Sequence, residues 1–247
     1  MPRWTPSKRR LVESPQTDEI LRLNGLNNLD DVFRIAARAS SRHNGRGVCP
    51  VWLLDVNGGR FTAYFKLNWG LPRLNPQWED VKSGRVFQSL VYREWLGIER
   101  MERLGFRVPR RLAFFEDGWI RRRSAVIIRA VPPRESLSEM IRSASWTARP
   151  AAEQDGLIEA GLATLRRIDA HGLAWRGALT RHLFPEKNAH GEWAMWLIDC
   201  EGIHDRTSET LARDIARFQK SLQTDHAKRS QKLGVGDRPA TSGRAAA

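Results

Sequence analysis

The chain has 247 residues, of which 41% are hydrophobic and 28% are charged, enough apolar content for one large domain or two small lobes. With 41 Lys and Arg against 28 Asp and Glu, the formal net charge is +13, which points to nucleic acid, a phosphate-bearing small molecule or an anionic membrane surface. No apolar run reaches the roughly 18 residues of a transmembrane helix, and the start lacks the apolar segment of a signal peptide. The two cysteines, Cys49 and Cys200, lie too far apart for a metal-binding CxxC pair and form no disulfide framework.

The first half of the chain is predicted to form five strands and one helix. Residues 1–18 are polar and basic, and we expect them to be poorly ordered. The five strands are assigned to short apolar runs bounded by turn residues, at 32–35, 48–55, 60–67, 110–115 and 124–131. Asn57-Gly58-Gly59 is typical of a hairpin turn between two of them. The helix is expected at 86–104, and Gly105 is placed to end it.

The second half is predicted to be mostly helical. The elements expected there are helices at 136–142, 152–171 and 208–222, a loop at 172–185 and a strand at 193–198. The last segment, 226–247, is basic and has the composition of a flexible tail, which either stays solvated or contacts lipid or nucleic acid. Because Pro132-Pro133 interrupts the chain, we place the lobes on either side of it. The resulting division is a basic N-terminus at 1–18, a first lobe at 19–131, a second lobe at 132–225 and the tail at 226–247.

Glu94 is out of place on its predicted helix. It follows Phe87 by seven residues and so falls on the apolar stripe of that helix, where an unpaired carboxylate would be costly to bury. Lys66 is the candidate partner, because it lies between apolar residues on the preceding strand. A strand lysine fixed by a helix glutamate can hold phosphate oxygens. A purely structural ion pair is the alternative.

Two aspartates also stand at unexpected positions. Asp199 follows an apolar strand, and a carboxylate at such a position is typical of a divalent-metal ligand. A turn-forming aspartate is the alternative. Asp169 falls on the apolar stripe of its helix, eleven residues after Ile158. We expect Asp169 to accept hydrogen bonds from the backbone of the loop at 172–185.

Taken together, these positions resemble the protein-kinase-like fold, and in particular the lipopolysaccharide kinase family of the bacterial envelope, which includes the Kdo and heptose kinases. The resemblance covers roughly residues 24–225 and is strongest in VYREWLGIERMERLGFRVPRRLAFFEDG at 91–118, which looks like the family's αC segment. LNGLNNLDDVFRI at 23–35 looks like the lead-in to the first strand, and RTSETLARDIARFQKSL at 206–222 matches the RDL…SL pattern. The resemblance implies an α+β bilobal fold, with a five-stranded antiparallel sheet and one αC helix in the first lobe and a mostly helical second lobe.

The resemblance also implies roles for individual residues and a requirement for ATP and Mg²⁺ or Mn²⁺. Lys66 matches the strand lysine that holds the ATP phosphates, and Glu94 matches its partner on αC. Asp199 in LIDCEG matches the DFG-type aspartate that binds the metal. His182 in RHLF matches the family's catalytic-loop histidine, at the place where ordinary kinases carry a metal-binding asparagine. Because imidazole suits Mn²⁺ better than Mg²⁺, His182 is either a second metal ligand or a group that positions the γ-phosphate or the substrate.

The remaining implied contacts are with the nucleotide. Arg129, Ala130 and Val131 fall where the chain crosses between the lobes, and their backbone would bind adenine. The phosphate loop would be ASSRHNGRG at 39–47, in which Gly45 and Gly47 stand in place of a full GxGxxG motif.

One departure from the family pattern concerns the catalytic loop, which reads HRD in the family and Trp175-Arg176-Gly177 here. Gly177 replaces the aspartate that accepts the proton of the substrate hydroxyl. Such a base contributes about 10²–10⁴-fold to the rate, but phosphoryl transfer depends chiefly on positioning and electrostatics.

The resemblance therefore implies an ATP-dependent kinase acting on a sugar hydroxyl of the lipopolysaccharide core or a related envelope glycolipid, in the cytoplasm or at the inner face of the inner membrane. Its catalytic residues would be Lys66, Glu94 and His182. A pseudokinase that binds nucleotide or acts as a scaffold is the alternative. A basic nucleic-acid-binding protein is the third interpretation, and the sequence contains no motif for it.

Overall fold

The computed structural model describes residues 8–37, 46–69, 88–118, 123–206 and 210–234. The chain divides into two compact units, one formed by Met1–Pro132 with Trp196–Ile203 and the other by Pro133–Met195 with His204–Ala247. Within the described ranges, no helix combines the length and the hydropathy that crossing a membrane requires.

The first unit is built on a five-stranded sheet in which all neighbouring strands are antiparallel. Its strands are β1 (Arg9–Val12), β2 (Arg46–Leu54), β3 (Arg60–Trp69), β4 (Arg111–Asp117) and β5 (Arg123–Arg129), and their order is β1-β4-β5-β3-β2. Its helices are α1 (Pro15–Leu23), α2 (Leu29–Ala36) and α3 (Leu90–Arg103). The strands at either side of the predicted hairpin are joined as expected, since Asp55 donates its N–H to the carbonyl of Gly59 at 2.7 Å.

Strand β3 separates two packed layers of this unit, because side chains alternate between the two faces of a strand. Phe61, Ala63, Phe65 and Leu67 are buried in a core shared with α1 and α2. Lys66 belongs to the opposite face, on which α3 packs against β3, β4 and β5. The alternation read from the sequence of β3 is therefore confirmed, and it directs the lysine towards α3.

The ends of α3 are fixed by local hydrogen bonds. Ser89 is the N-cap, and its hydroxyl accepts the N–H of Tyr92 at 3.1 Å. At the other end Gly105 has φ +73°, and Phe106 donates its N–H to the carbonyl of Met101 at 3.0 Å, as in a Schellman motif. The prediction that Gly105 ends the helix is confirmed.

The prediction of a strand at 32–35 is wrong, because this segment lies inside α2. Leu29, Val32 and Ala36 are buried on one side of the helix at spacings of three and four residues. Asn28 caps the helix and accepts the N–H of Asp31 at 3.1 Å, so the apolar run is fixed as a helix from its first turn.

The expected disorder at 1–18 is also contradicted where the structure describes that segment. Arg9–Val12 pairs with β4 and supplies the fifth strand of the sheet. Ser14 caps α1 and is followed by a proline in the first turn, which is a favoured arrangement at a helix start. The first unit therefore has three helices among its described residues, where one was predicted.

The second unit is mostly helical, as predicted. Its elements are α4 (Leu137–Arg142), α5 (Ala151–Ala170), β6 (Leu173–Trp175), β7 (Leu183–Lys187), β8 (Trp193–Leu197), which continues into the first unit, β9 (Ile203–Asp205) and α6 (Thr210–Gly234). Strands β6 and β9 form one short pair, and β7 and β8 form another. The segment expected to be a loop at 172–185 therefore contains β6, a short 3₁₀ turn at Thr180–His182 and the start of β7.

Helix α6 is longer than the sequence indicated. It continues to Gly234, so the part of the predicted tail at 226–234 is helical, whereas 235–247 lies outside the described residues. The helix packs against α5 at Gly161, where an added Cβ would lie 2.7 Å from the ring of Phe218. Past the predicted end, Asp225 is buried and the ring of His226 contacts that of Trp146, so tertiary packing continues into the extension.

Candidate active site

Lys66, Glu94 and Asp199 meet in the first unit. The ammonium group of Lys66 donates to Glu94 Oε1 at 2.9 Å and to Asp199 Oδ1 at 3.2 Å. Three elements that are distant in sequence supply these side chains: β3, α3 and the segment that follows β8. The pairing of Lys66 with Glu94 that the sequence suggested is present, and Asp199 joins it.

The charges in this cluster reinforce one another. The side chain of Glu94 is 1% exposed and that of Lys66 is 18% exposed, so the ion pair is largely removed from water. Burial alone would lower the pKa of Lys66, but the carboxylates of Glu94 and Asp199 outweigh it and hold this pKa above its ordinary value. Lys66 is therefore a permanent cation.

The second oxygen of Glu94 connects α3 to the chain around Asp199. Glu94 Oε2 accepts the backbone N–H of Glu201 at 2.8 Å. Helix α3 approaches this segment closely at Gly97, where an added Cβ would lie 2.1 Å from the carbonyl oxygen of Cys200. The absence of a side chain at position 97 thus lets Glu94 reach both its partners.

Asp199 has a backbone conformation that few side chains adopt. Its φ of +63° places it in the left-handed region, which aspartate and asparagine tolerate better than most residues. Its side chain is 35% exposed and presents carboxylate oxygens, which are the ligands that Mg²⁺ prefers. Within the described part of the chain, no three His, Cys, Asp or Glu residues form a metal-binding group, so a metal here would depend on ligand oxygens as well.

Glu201 and Arg46 belong to the same cluster, although the sequence reasoning placed Arg46 only within the predicted phosphate loop at 39–47 and gave Glu201 no role beside Lys66. Arg46, at the start of β2, lies 3.4 Å from Glu201 Oε1. Burial raises the pKa of Glu201; Arg46 opposes this rise, and the carboxylates of Asp199 and Glu94 add to it. The position of Glu201 two residues after Asp199 was the available sequence signal.

An apolar surface lies beside Lys66 on the same face of the sheet. Val48 pairs directly with Lys66 across β2 and β3, and side chains in such pairs share a face. Val48, Trp52 and Tyr64 are 51%, 71% and 39% exposed, although large apolar side chains are usually buried. The sequence reasoning read Tyr64 only as a neighbour of Lys66 and did not identify this surface.

The predicted nucleotide-binding backbone is partly used by the sheet. The N–H of Arg129 donates to the carbonyl of Arg110, and that of Ala130 donates to the carbonyl of Thr62, both at 2.9 Å. An adenine contact at this segment would therefore use carbonyl groups or the backbone of Val131, and the assignment stays a prediction.

Only the end of the predicted phosphate loop lies within the described residues. Gly47 lies within β2, opposite Leu67, so it is a strand residue rather than a loop residue. Gly45 and the rest of the segment from 39 lie outside the described residues.

The loop that carries Gly177 and His182 belongs to the second unit. His182 Nδ1 is 2.9 Å from the carbonyl oxygen of Gly177, and Arg181 Nε donates to His182 Nε2 at 3.1 Å. The Gly177 turn therefore orients the ring of His182. A metal bound at Nε2 would have to displace Arg181, and the prediction that His182 is a metal ligand stays open.

Helix α6 anchors this loop through two buried carboxylates. Asp214 Oδ2 accepts the backbone N–H of Trp175 at 2.8 Å. Further along the helix, Asp225 Oδ2 accepts the hydroxyl of Thr180 at 2.5 Å, and Ser221 accepts the N–H of Thr180 at 3.2 Å. The resemblance matched this helix as a pattern, but the anchoring role of its polar side chains was not anticipated.

Asp169 does not show the predicted contacts with the loop backbone. Its carboxylate pairs instead with the guanidinium group of Arg206 at 2.8 Å. This pair lies within the second unit and connects the end of α5 to the chain that follows β9.

Comparisons with known proteins agree with this arrangement. A family model described as the lipopolysaccharide kinase (Kdo/WaaP) family matches residues 81–235. A solved structure described as WaaP in complex with acyl carrier protein matches with a TM-score of 0.60 and 16% sequence identity, over 93% of this chain and 92% of that chain. Among curated proteins, none matches the chain in sequence. The structural likeness establishes the kinase fold that the sequence predicted.

Proposed function

The chain belongs to the lipopolysaccharide kinase (Kdo/WaaP) family, and from this premise we propose that it binds ATP with a divalent metal and phosphorylates a sugar hydroxyl of an envelope glycolipid. The observation that carries the proposal is the meeting of Lys66 with both Glu94 and Asp199. The net charge of +13 favours an anionic glycolipid as the acceptor and an anionic membrane surface, the inner face of the inner membrane, as the place of work.

Each residue of the cluster has a distinct task in this proposal. Lys66 is a fixed cation that would contact phosphate oxygens, and buried Glu94 keeps its ammonium group in place. The exposed surface of Val48, Trp52 and Tyr64 would pack against the purine ring, since a strand register places Val48 beside Lys66. When bound, ATP supplies the phosphoryl group and the metal cation neutralises its charge.

The donor set around Asp199 fits a magnesium ion that is shared with phosphates. Mg²⁺ is usually held by one or two carboxylates together with substrate phosphates and water. Asp199 and the neighbouring Glu201 supply such carboxylates, and they need no third protein ligand. Lys66 donates to one oxygen of Asp199 at 3.2 Å, and phosphate oxygens would compete for this ammonium group.

The second unit favours a second candidate function, that of a pseudokinase. Gly177 has no side chain to accept a proton from the acceptor hydroxyl, so the loop cannot supply the aspartate base of the family pattern. His182, which the Gly177 carbonyl orients, would position a phosphate or a hydroxyl group. A scaffold that binds nucleotide without transfer accounts for the intact lysine cluster and for the missing base.

Nucleotide binding can be tested with a matched pair of variants on β3. Lys66→Met removes the cation of the cluster, whereas Arg60→Met removes an exposed cation from the same face of the same strand. With ATP and Mg²⁺ or Mn²⁺ at about 100 times the dissociation constant, ligand binding adds about 2.7 kcal/mol to stability, which raises Tm by roughly 5–10 °C in a chain of this size. We expect this rise in the wild type and in Arg60→Met and its loss in Lys66→Met.

Transfer is tested separately, with radiolabelled γ-phosphate and core oligosaccharides as acceptors. Incorporation that depends on Lys66 supports the kinase, whereas nucleotide binding without incorporation into any acceptor supports the pseudokinase. A wild-type protein whose Tm does not respond to any nucleotide contradicts both.

A further inference from the structure

The second unit contains a cavity of about 300 Å³ that is formed by α4, the 3₁₀ turn at Thr180–His182 and α6. Its volume is at the lower end of the range for ligand sites, which is about 300–1,000 Å³. Five cationic side chains line it: Arg142, Arg181, Arg217, Lys220 and Lys228. The one carboxylate among the lining residues is Asp225.

Buried carboxylates lie close to two of the lining arginines, but they do not neutralise the lysines. Arg142 lies 3.6 Å from Asp225, and Arg217 lies 3.2 Å from Asp214. Asp225 is buried and also accepts the hydroxyl of Thr180, so its charge is shared. Within the described ranges, Lys220 and Lys228 form no ion pair. The cavity therefore holds an excess of positive charge.

Lys220 and Lys228 are exposed, but this excess differs from that of an ordinary solvated helix face because the cations line one concavity and come from three separate elements. Like charges gathered around one concavity repel each other, and a bound anion would relieve that repulsion. Arginine forks and lysine ammonium groups are the side chains that proteins use to bind phosphate.

The other lining residues indicate to which kind of compound the anionic group is attached. Ser138, Ser221 and Thr224 contribute hydroxyl groups, and Leu179 is the single large apolar side chain among the lining residues. Such a surface offers hydrogen bonds to a polyhydroxyl compound but no flat apolar face for a nucleobase and no apolar channel for an acyl chain.

We propose that this cavity is a binding site for a phosphate monoester carried by a sugar, and that it is separate from the cluster around Lys66. The phosphate would contact Lys220, Lys228 and the arginines, and the sugar would contact the hydroxyl groups. The loop residues Leu179 and Arg181 line this site and precede His182, so its ligand lies next to the turn that orients this histidine. The proposal does not depend on ATP binding or on transfer.

The test is calorimetric titration of the full chain with glucose 6-phosphate and, as an uncharged control, glucose. The double variant Lys220→Ala/Lys228→Ala removes two cations that line the cavity, and Arg213→Ala/Lys232→Ala removes two exposed cations of the same helix that do not line it. We expect glucose 6-phosphate to bind and glucose not to bind. The first double variant should weaken binding at least about tenfold, and the second should weaken it less than about twofold. Circular dichroism checks that both variants fold.

Two further measurements define the site and the source of its ligand. Lys66→Met should bind glucose 6-phosphate like the wild type; loss of binding in this variant would place the sugar phosphate at the other site and overturn the proposal. The proposal would also be overturned if glucose 6-phosphate did not bind. Equal weakening of its binding in the two double variants would overturn it as well. Phosphatidylcholine vesicles with and without phosphatidic acid test the other source of a phosphate monoester: binding to the phosphatidic acid vesicles without binding of glucose 6-phosphate would assign the site to a membrane lipid and overturn the proposal of a sugar ligand.

Discussion

The cluster around Lys66 in the first unit and the loop around Gly177 in the second unit are both held by buried carboxylates, but the cluster centres on a charged side chain and the loop on a residue without a side chain. Glu94 fixes a lysine, and that lysine also reaches Asp199. Asp214 fixes the backbone of Trp175, two residues before a position that has no side chain. Buried carboxylates thus fix both regions, but only the first region has a charged side chain at its centre.

Under the proposed function, this difference would decide which part of the reaction the chain supports. Stabilising the charge of a phosphoryl group accounts for most of the catalysis in phosphoryl transfer, and the cluster in the first unit would supply it. A general base supplies a smaller factor, and the family resemblance implies that Gly177 stands at its position.

A carboxylate introduced at position 177 should have the largest effect on the difference between the two regions. Gly177 has no positive φ, so Gly177→Asp should fit the backbone without left-handed strain. We expect it to raise phosphoryl transfer by about 10²–10⁴-fold, with little change in the KM for ATP, because the nucleotide contacts are unchanged. Single-turnover assays with radiolabelled ATP measure the rate, and Gly177→Asn is the control that has similar size but cannot accept the proton as a carboxylate does. Equal rates in wild type and Gly177→Asp would mean that another group is the base.

Removing the central carboxylate of the first unit should produce the largest loss of stability. Glu94→Ala leaves Lys66 with one carboxylate and leaves the N–H of Glu201 without its acceptor. Breaking a buried ion pair in this way costs about 3–5 kcal/mol, to be measured by urea denaturation. Glu99→Ala on the same helix is the control; its carboxylate makes partly exposed pairs at 3.4 Å and 3.6 Å, so we expect a cost below about 1 kcal/mol. Similar losses of stability in both variants would show that burial does not make the pair of Lys66 and Glu94 more important than an exposed pair.

Most of what the sequence predicted correctly was specified locally. The NGG turn, the glycine at the end of α3 and the alternation along β3 each depend on a few adjacent residues, and the structure confirms them. The pair of Lys66 and Glu94 could be inferred because each is a charged residue on an otherwise apolar face, and a buried charge needs a partner.

The errors arose where local patterns were ambiguous or where distant contacts decide the structure. The apolar run at 32–35 is too short for its period to separate helix from strand, and the capping residue Asn28 was the overlooked signal. Strand β1 is stable because it pairs with β4, about 100 residues later in the chain. The contact of Arg46 with Glu201 depends in the same way on the folded arrangement.

Glycines at close contacts test how rigidly each unit holds its site. Gly97→Ala would place a Cβ 2.1 Å from the backbone oxygen of Cys200, whereas Gly161→Ala would place one 2.7 Å from the ring of Phe218. Overpacking typically costs about 1–3 kcal/mol, and we expect Gly97→Ala to be the more costly because a backbone carbonyl cannot rotate away as a ring can. Gly156→Ala is the control, since its nearest neighbour is at 3.4 Å and alanine favours a helix by about 1 kcal/mol. Urea denaturation ranks the three, and the reverse order of the first two would contradict the rigid contact.

The smallest expected effects concern Asp214, and they separate its hydrogen bond from its charge. Asp214→Ala removes the acceptor of the Trp175 N–H, and an unsatisfied buried donor costs about 1–3 kcal/mol. Asp214→Asn keeps an acceptor oxygen and loses the pair with Arg217 at 3.2 Å, so we expect it to change stability by less than about 1 kcal/mol at neutral pH. Denaturation with urea measures both. If the two substitutions were equally costly, the charge and not the hydrogen bond would be holding the loop.

The pH dependence of the asparagine variant gives the sign of the charge effect. Burial raises the pKa of Asp214 above 3.8, against the Trp175 hydrogen bond and the nearby cations, which lower it. A raised pKa in the folded state means that the folded chain holds the proton more tightly than the unfolded chain, so the contribution to stability is present below pH 3.8 and is lost as the pH rises through the folded pKa. As the pH rises from 3.8 through the folded pKa, the wild type should therefore lose stability relative to Asp214→Asn. At higher pH the difference in stability between the two should stay constant. If the wild type gained stability over the same interval, the cations around Asp214 would outweigh its burial, and the second unit would hold its loop by charge as the first unit holds Lys66.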